Sequence, residues 1–166
     1  MIAPADVSPD VASAPEVALK PQGCTNLKLR QLMRRVGRFY DAELAGAGLK
    51  TTQYSLLTCL AKKGPMRPAD LAKLLKMEAS TLTRNVQPTI AAGWVEQSAG
   101  PDGRSRMLTL TEAGREKRQL AQRRWRVAQE QLNQLLGVER VIALHQLVDE
   151  SLALLSPEAV EAFEEL

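Results

Sequence analysis

A chain of 166 residues and 18.2 kDa has the size of one domain, and 45% hydrophobic and 25% charged residues is the composition of a folded soluble protein, which excludes wholesale disorder and fibrous architecture. Aromatics supply only 4% of the residues, so the core has to be built from Leu, Ala, Val and Ile, a mix that favours helices over a β-sandwich. The net charge of +3 is unevenly spread, +2 over residues 1–61, +8 over 62–126 and −7 over 127–166, so a basic middle suited to a polyanion precedes an acidic end with different work.

Residues 1–22 scatter Pro4, Pro9, Pro15 and Pro21 among Ala, Ser, Asp and Val with no helical period and predict a flexible tail. From Thr25 onward Leu29, Leu32, Met33, Val36, Phe39, Tyr40 and Leu44 recur at steps of three and four, an amphipathic helix that ends near Gly46 and Gly48. A second helix, capped by Thr51 or Thr52, carries Leu56, Leu57 and Leu60 and stops at Gly64 and Pro65. Pro68 suits the first position of a third helix, Asp70 complements its dipole, and Leu71, Leu74 and Leu75 carry it to about Lys76. The fourth runs from near Glu78 to just before Gly93. Trp94–Ser98 and Arg106–Leu110 then read as short strands, joined by the turn chemistry of Gly100, Pro101, Asp102 and Gly103. Thr111 caps a long helix with Leu120, Trp125, Ala128, Leu132 and Leu135 on one stripe; Gly137 interrupts it, and a last helix from about Glu139 aligns Val141, Leu144, Val148, Leu152 and Leu155. The fold class is mainly α with a small β-hairpin wing: a winged helix-turn-helix over residues 51–111 between terminal helices at 23–48 and 112–166. Those terminal helices carry too much apolar surface to stand alone, and burial between two chains removes it from water.

The fourth helix declares what it faces through angular arithmetic at about 100° per residue. Ala79, Leu82, Val86 and Ile90 fall on one side, Ser80, Thr81, Arg84 and Pro88 on the other, with Thr83, Asn85 and Gln87 flanking. Hydroxyls, amides and an Arg on an exposed N-terminal half are the chemistry that reads duplex DNA: Arg grips guanine with two hydrogen bonds, Asn grips adenine, and Ser or Thr reaches phosphates or thymine methyls. Pro88 lacks the N–H that would bond the Arg84 carbonyl, at a cost of up to about 3 kcal/mol, and predicts a bend or tighter turn after Arg84. Arg104 and Arg106 beside the hairpin turn are placed to lower guanidinium groups into a minor groove.

Taken together these residues resemble the MarR family of bacterial transcriptional regulators. The matching pieces are Tyr40-Asp41, Gly48-Leu49, Thr52-Gln53-Tyr54, Pro68-Ala69-Asp70-Leu71-Ala72, Ser80-Thr81-Leu82-Thr83-Arg84-Asn85, and Asp102-Gly103-Arg104 leading to Leu108-Thr109-Leu110-Thr111-Glu112-Ala113-Gly114, in that order from about Leu27 to the C-terminus. The resemblance implies an obligate homodimer whose intertwined terminal helices set two winged domains astride a pseudo-palindromic operator. It further implies a repressor, or occasionally an activator, released by a small ligand or by oxidation, with Ser80, Thr81, Thr83, Arg84, Asn85, Gln87, Arg104 and Arg106 on the double-stranded DNA.

Two candidates for a sensor emerge. Cys24 lies at the start of the first helix, where the dipole favours a reactive thiolate, and some peroxide-sensing relatives in the family use a cysteine near this place. Arg30, Arg34 and Arg38 form a basic column on the same helix, and in the family aromatic carboxylates bind between the dimerisation helices and the winged domain; Arg30, Arg34, Tyr40, Tyr54 and Trp125 are the expected ligand contacts. Cys59 and His145 read as packing residues. Two cysteines 35 positions apart make no disulfide framework, and neither a leader nor an apolar span of about 18 residues is present, so the expectation is a cytoplasmic protein with no membrane partner. No cofactor and no metal are expected, because there is no phosphate-cradling Gly-rich loop, no nucleophile-base motif and only one histidine. Two other readings stay open: a thiol enzyme using Cys24 as a peroxidatic nucleophile, which leaves the winged segment without a purpose, and a helical interaction module without DNA binding.

Overall fold

The computed structural model describes residues 20–100, 103 and 105–156. Its elements follow in the order α1 (Thr25–Ala45), α2 (Thr51–Lys63), α3 (Pro68–Leu74), α4 (Ala79–Ala91), β1 (Val95–Ala99), β2 (Arg106–Leu110), α5 (Glu112–Leu136) and α6 (Val138–Leu154). The expected mainly helical fold with a hairpin wing is therefore present. None of the described helices is long and apolar enough to cross a membrane.

The core collects around α2. Its Leu56, Leu57 and Leu60 are buried against Leu44 of α1, Leu71 of α3, Leu82 and Val86 of α4, Val95, Leu108 and Leu110 of the hairpin and Ala121 of α5. Each such leucine contributes roughly 1.5–3 kcal/mol on leaving water. The β1–β2 ladder is antiparallel with Val95 opposite Leu110 and Ala99 opposite Arg106. On the far edge of β2, Met66 exchanges both backbone hydrogen bonds with Leu108 (3.2 and 2.9 Å), which ties the approach to α3 to the base of the wing.

Several boundaries differ from the sequence reading. The N-terminus of α2 is capped by Asp41 of α1 rather than by its own threonines: the Thr51 N–H and Oγ1–H both donate to Asp41 Oδ1, at 2.8 and 2.6 Å. A carboxylate is the better acceptor for orphan donors at the positive end of a helix dipole. Helix α3 stops at Leu74, and Lys76 takes the left-handed conformation (φ 52°) while the Met77 N–H reaches back to the Ala72 carbonyl at 2.9 Å, a Schellman closure of the turn into α4. Helix α4 runs unbroken over Pro88 to Ala91, and the expected tightening after Arg84 is absent; only the Gly93 N–H closes a shorter turn, onto Ile90. Pro88 is exposed, which leaves the Arg84 carbonyl in reach of solvent. In α5 the buried line is Gly114, Ala121 and Ala128, whereas Leu120 and Leu135 of the expected stripe are exposed. Small residues win that line because α5 packs close against the body of the domain.

Thr111 caps α5 as expected, its Oγ1 accepting from the Gly114 N–H at 3.0 Å while its hydroxyl donates to the Gly93 carbonyl at 2.7 Å. A Cβ on Gly114 would meet the Trp94 carbonyl oxygen and Leu110 Cδ1 at 2.7 Å, and nothing there can yield because the obstacle is backbone. Gly114→Ala is expected to lower the unfolding free energy by about 2 kcal/mol or more, the scale of core overpacking, in a denaturant titration.

Candidate nucleic-acid interface

Helix α4 is oriented by its buried side. Leu82, Val86 and Thr89 are buried, and the Thr89 hydroxyl is satisfied within the helix by the Val86 carbonyl at 2.7 Å. Thr89, unremarked in the sequence reading, belongs to the inward face, whereas Ala79, assigned inward there, is exposed at the first turn. Ser80, Thr81, Thr83, Arg84 and Gln87 are all exposed on the other side, as the angular arithmetic predicts. Thr83 turns its hydroxyl back onto the Ala79 carbonyl at 2.9 Å.

The wing joins this surface. A cleft of about 220 Å³ between α4 and the hairpin is lined by Thr83 and Gln87 of the helix and by Gln97 and Arg106 of the strands, over a floor of Leu82, Val86 and Leu108. Thr83 and Gln87, predicted on the helix, thus share one cleft with Arg106, predicted on the wing and exposed beside its turn. Arg104, the other predicted wing contact, lies outside the described residues. Asn85 behaves differently from its neighbours. It is half-buried, accepts from Thr52 Oγ1 at 2.7 Å and donates through Nδ2 to the Thr81 carbonyl at 2.9 Å, so its amide is engaged inside the protein.

Residues 47–105 match the family model described as MarR family. Over 90 residues the chain is 31% identical to the HTH-type transcriptional regulator YwoH of Bacillus subtilis (strain 168), a match covering 54% of this chain and 66%, just under two thirds, of that protein. It is 32% identical to the transcriptional regulator MosR of M. tuberculosis, solved in complex with DNA, with a TM-score of 0.64 over 78% of this chain and 98% of that one. The chain belongs to the MarR family. The fold alone extends to a mutant E. coli MarR solved with operator DNA, 20% identical, with a TM-score of 0.70 over 76% of this chain and 92% of that one.

In this MarR-family chain the expected effector residues divide. Trp125 stands between Tyr40 and Tyr54, with ring centroids 6.4 and 6.3 Å away. Burial raises the Tyr40 phenol above its ordinary pKa, and its O–H donates to Gln129 Oε1 at 2.6 Å. On one side Trp125 and Tyr40 border a largely apolar cavity of about 800 Å³ between α1 and α6, reaching Leu29, Met33, Leu144 and His145. On the other, Trp125 and Tyr54 border a cavity of about 390 Å³ between α2 and α5 with Ser55, Thr58, Lys62, Arg118 and Gln122. Arg30 and Arg34 are exposed on α1 and line neither. The cations beside the aromatics are Lys62 and Arg118, which sequence reasoning missed; their spacing of eight from Tyr54 and seven from Trp125 puts each on its aromatic's helix face. Thr58 Oγ1 is buried there without a hydrogen-bond partner.

The thiols differ in setting. Cys24 occupies the N-cap position of α1 and is exposed. Cys59 is half-buried between α2 and α5, and burial raises its pKa against the lowering effect of Lys63 and Lys62, so the inert neutral thiol is favoured. Among the described residues no three His, Cys, Asp or Glu side chains gather to hold a metal ion. With substoichiometric iodoacetamide at neutral pH, mass spectrometry is expected to find Cys24 alkylated well before Cys59; the reverse order would contradict these settings.

Proposed function

We propose that this chain is a sequence-specific DNA-binding transcriptional regulator, a homodimeric repressor released by a small anionic aromatic ligand. The observation that carries the reading is the cleft shared by Thr83 and Gln87 of α4 and Arg106 of the wing, on a helix whose opposite side is buried. Ser80, Thr81 and Arg84 extend that surface along α4, and Arg104, outside the described residues, is assigned to the DNA from its sequence position two residues before Arg106. The helix enters a major groove, where Arg84 and Gln87 reach base edges and the hydroxyls position the backbone, while the wing arginines follow the adjacent minor groove. The DNA complexes of MosR and of the mutant E. coli MarR support this use of the fold.

Dimerisation is supported by the apolar surface that the single chain leaves in water. Leu147, Leu152 and Leu154 of α6 are 62, 66 and 76% exposed, Leu27, Leu29 and Met33 of α1 are exposed as well, and Leu29, Met33 and Leu152 border one cavity. A second copy laying the same helices against these would remove both patches and pair the reading helices by two-fold symmetry. For the effector, Tyr54 and Trp125 offer an aromatic wall and Lys62 and Arg118 a pair of cations to a carboxylate, with the Thr58 hydroxyl unspent. Oxidation of the exposed Cys24 is the alternative release route, and unchanged peroxide-driven release in Cys24→Ser would remove it.

The test is binding to a duplex that the protein itself enriches from a random pool, followed by fluorescence anisotropy. Affinity should fall steeply with salt, and Arg84→Ala and Arg106→Ala should each cost about 1–3 kcal/mol where they grip a base, or reduce the salt slope by about 1 where they hold phosphate. Affinity that ignores salt would contradict the reading. In sedimentation the wild type should run as a dimer, and Leu147→Glu with Leu152→Glu should run as a monomer.

A further inference from the structure

A run of hydrogen bonds crosses the domain from α1 to the outer helix of the helix-turn-helix. Asp41 near the end of α1 takes both Thr51 donors at the N-terminus of α2. The next residue, Thr52, donates its hydroxyl to Asn85 Oδ1 at 2.7 Å, and Asn85 Nδ2 donates to the Thr81 carbonyl one turn earlier in α4. The first turn of α2 is thus gripped from both sides, by a carboxylate of α1 and by an amide of α4.

We propose that Asn85 is a positioning residue of the DNA-reading helix, held by Thr52 so that α4 keeps a fixed angle and depth on α2, and does not itself read a base. The proposal rests on the DNA-binding function above. Its chemistry is orientation: Oδ1 and Nδ2 each keep a second hydrogen-bonding site, but the bonds to Thr52 and to the Thr81 carbonyl turn the amide toward α2 and back along α4, away from the edge-on pose in which a side-chain amide grips adenine. Burial agrees, since Asn85 is half-buried whereas Ser80, Thr81, Thr83, Arg84 and Gln87 are exposed. A polar link between two packed helices fixes their register more narrowly than leucine contacts alone, because a slip of about 1 Å leaves both polar groups unpaired. Through Asp41 and Thr51 the same link makes the end of α1 one of the supports of α4.

Full-length wild type, Thr52→Val, Thr52→Ser, Asn85→Ala and the Thr52→Val/Asn85→Ala double variant are compared on a duplex enriched by the wild type and on its single-base-pair variants. Thr52→Val and Asn85→Ala should each weaken binding roughly threefold to tenfold, the net worth of one hydrogen bond, and evenly across all base-pair variants. The double variant should bind no more weakly than the worse single one, and Thr52→Ser should bind like wild type. In the DNA-free protein the Asn85 side-chain amide NMR signals should move in Thr52→Val and stay in Thr52→Ser, a readout that a general loss of stability would not produce. Loss of preference at one base pair in Asn85→Ala, with Thr52→Val binding normally, would overturn the proposal, as would unmoved amide signals in Thr52→Val. A wild type that enriches no duplex overturns the DNA-binding function and the proposal with it, and moved amide signals then place the failure in that function rather than in the Thr52–Asn85 link.

Discussion

Three leucines of α2, at positions 56, 57 and 60, are the contact on which the rest of the molecule depends. They are buried in one cluster with side chains from α1, α3, α4, the hairpin and α5, so the helix of the candidate interface, the wing and the long helix α5 share α2 as a common support beside the direct packing of α4 on α3 and β1 and of α5 on α1. Dispersion and desolvation at this centre are non-directional, however, and leave rotation and slip weakly specified. Direction comes from polar links around the rim: Asp41 on the first turn of α2, Thr52 on Asn85, Thr111 between Gly93 and Gly114, and the Met66–Leu108 bridge beneath the wing. A greasy centre with a polar rim holds α4 firmly while keeping its outer face free of structural duties.

The surface divides accordingly. The face formed by α4 and β2 carries hydroxyls, amides and arginines and needs nothing from the core except orientation. The terminal helices present the opposite chemistry, with long apolar side chains in water along α1 and α6. The charge asymmetry along the chain follows the same division, since the basic stretch contains α3, α4, the wing and the start of α5, and the acidic end begins within α5. Between the two regions the Tyr40, Trp125 and Tyr54 rings form a continuous aromatic layer joining α1, α5 and α2.

Much of the architecture was legible because its signals are local. Gly46, Gly64, Gly93 and Gly137 end elements where a chain needs to turn, Pro68 opens α3, and the hairpin announces itself through Gly100 and Gly103. The outward face of α4 followed from periodicity alone, and so did Leu82 and Val86 of its inward face, though not Thr89 in place of Ala79. What escaped was tertiary. Asp41 caps a helix ten residues away, and Asn85 finds Thr52 33 residues away, so nothing in the neighbourhood of either residue reveals its partner. Angular arithmetic puts Asn85 on the flank of α4 but knows nothing of the helix packed alongside, so it does not show the bond to Thr52. The α5 stripe held at Trp125 and Ala128 and gave way at Leu120 and Leu135, which hydrophobicity selects but which are exposed, while close packing selects Gly114 and Ala121. Helix spacing makes Arg30 and Arg34 a basic column on α1 and the family resemblance joins that column to the aromatics, but the cations that flank Trp125 come from α2 and from α5 itself.

The central claim is that paired copies of α4 and its wing address one face of a duplex. Hydroxyl-radical footprinting of the full-length protein on an enriched duplex tests it most directly. The account predicts two protected patches on the same face of the DNA, related by a dyad and separated by about one helical turn of 10–10.5 base pairs or a multiple of it. A single patch without a dyad, or uniform protection along the duplex, would contradict it.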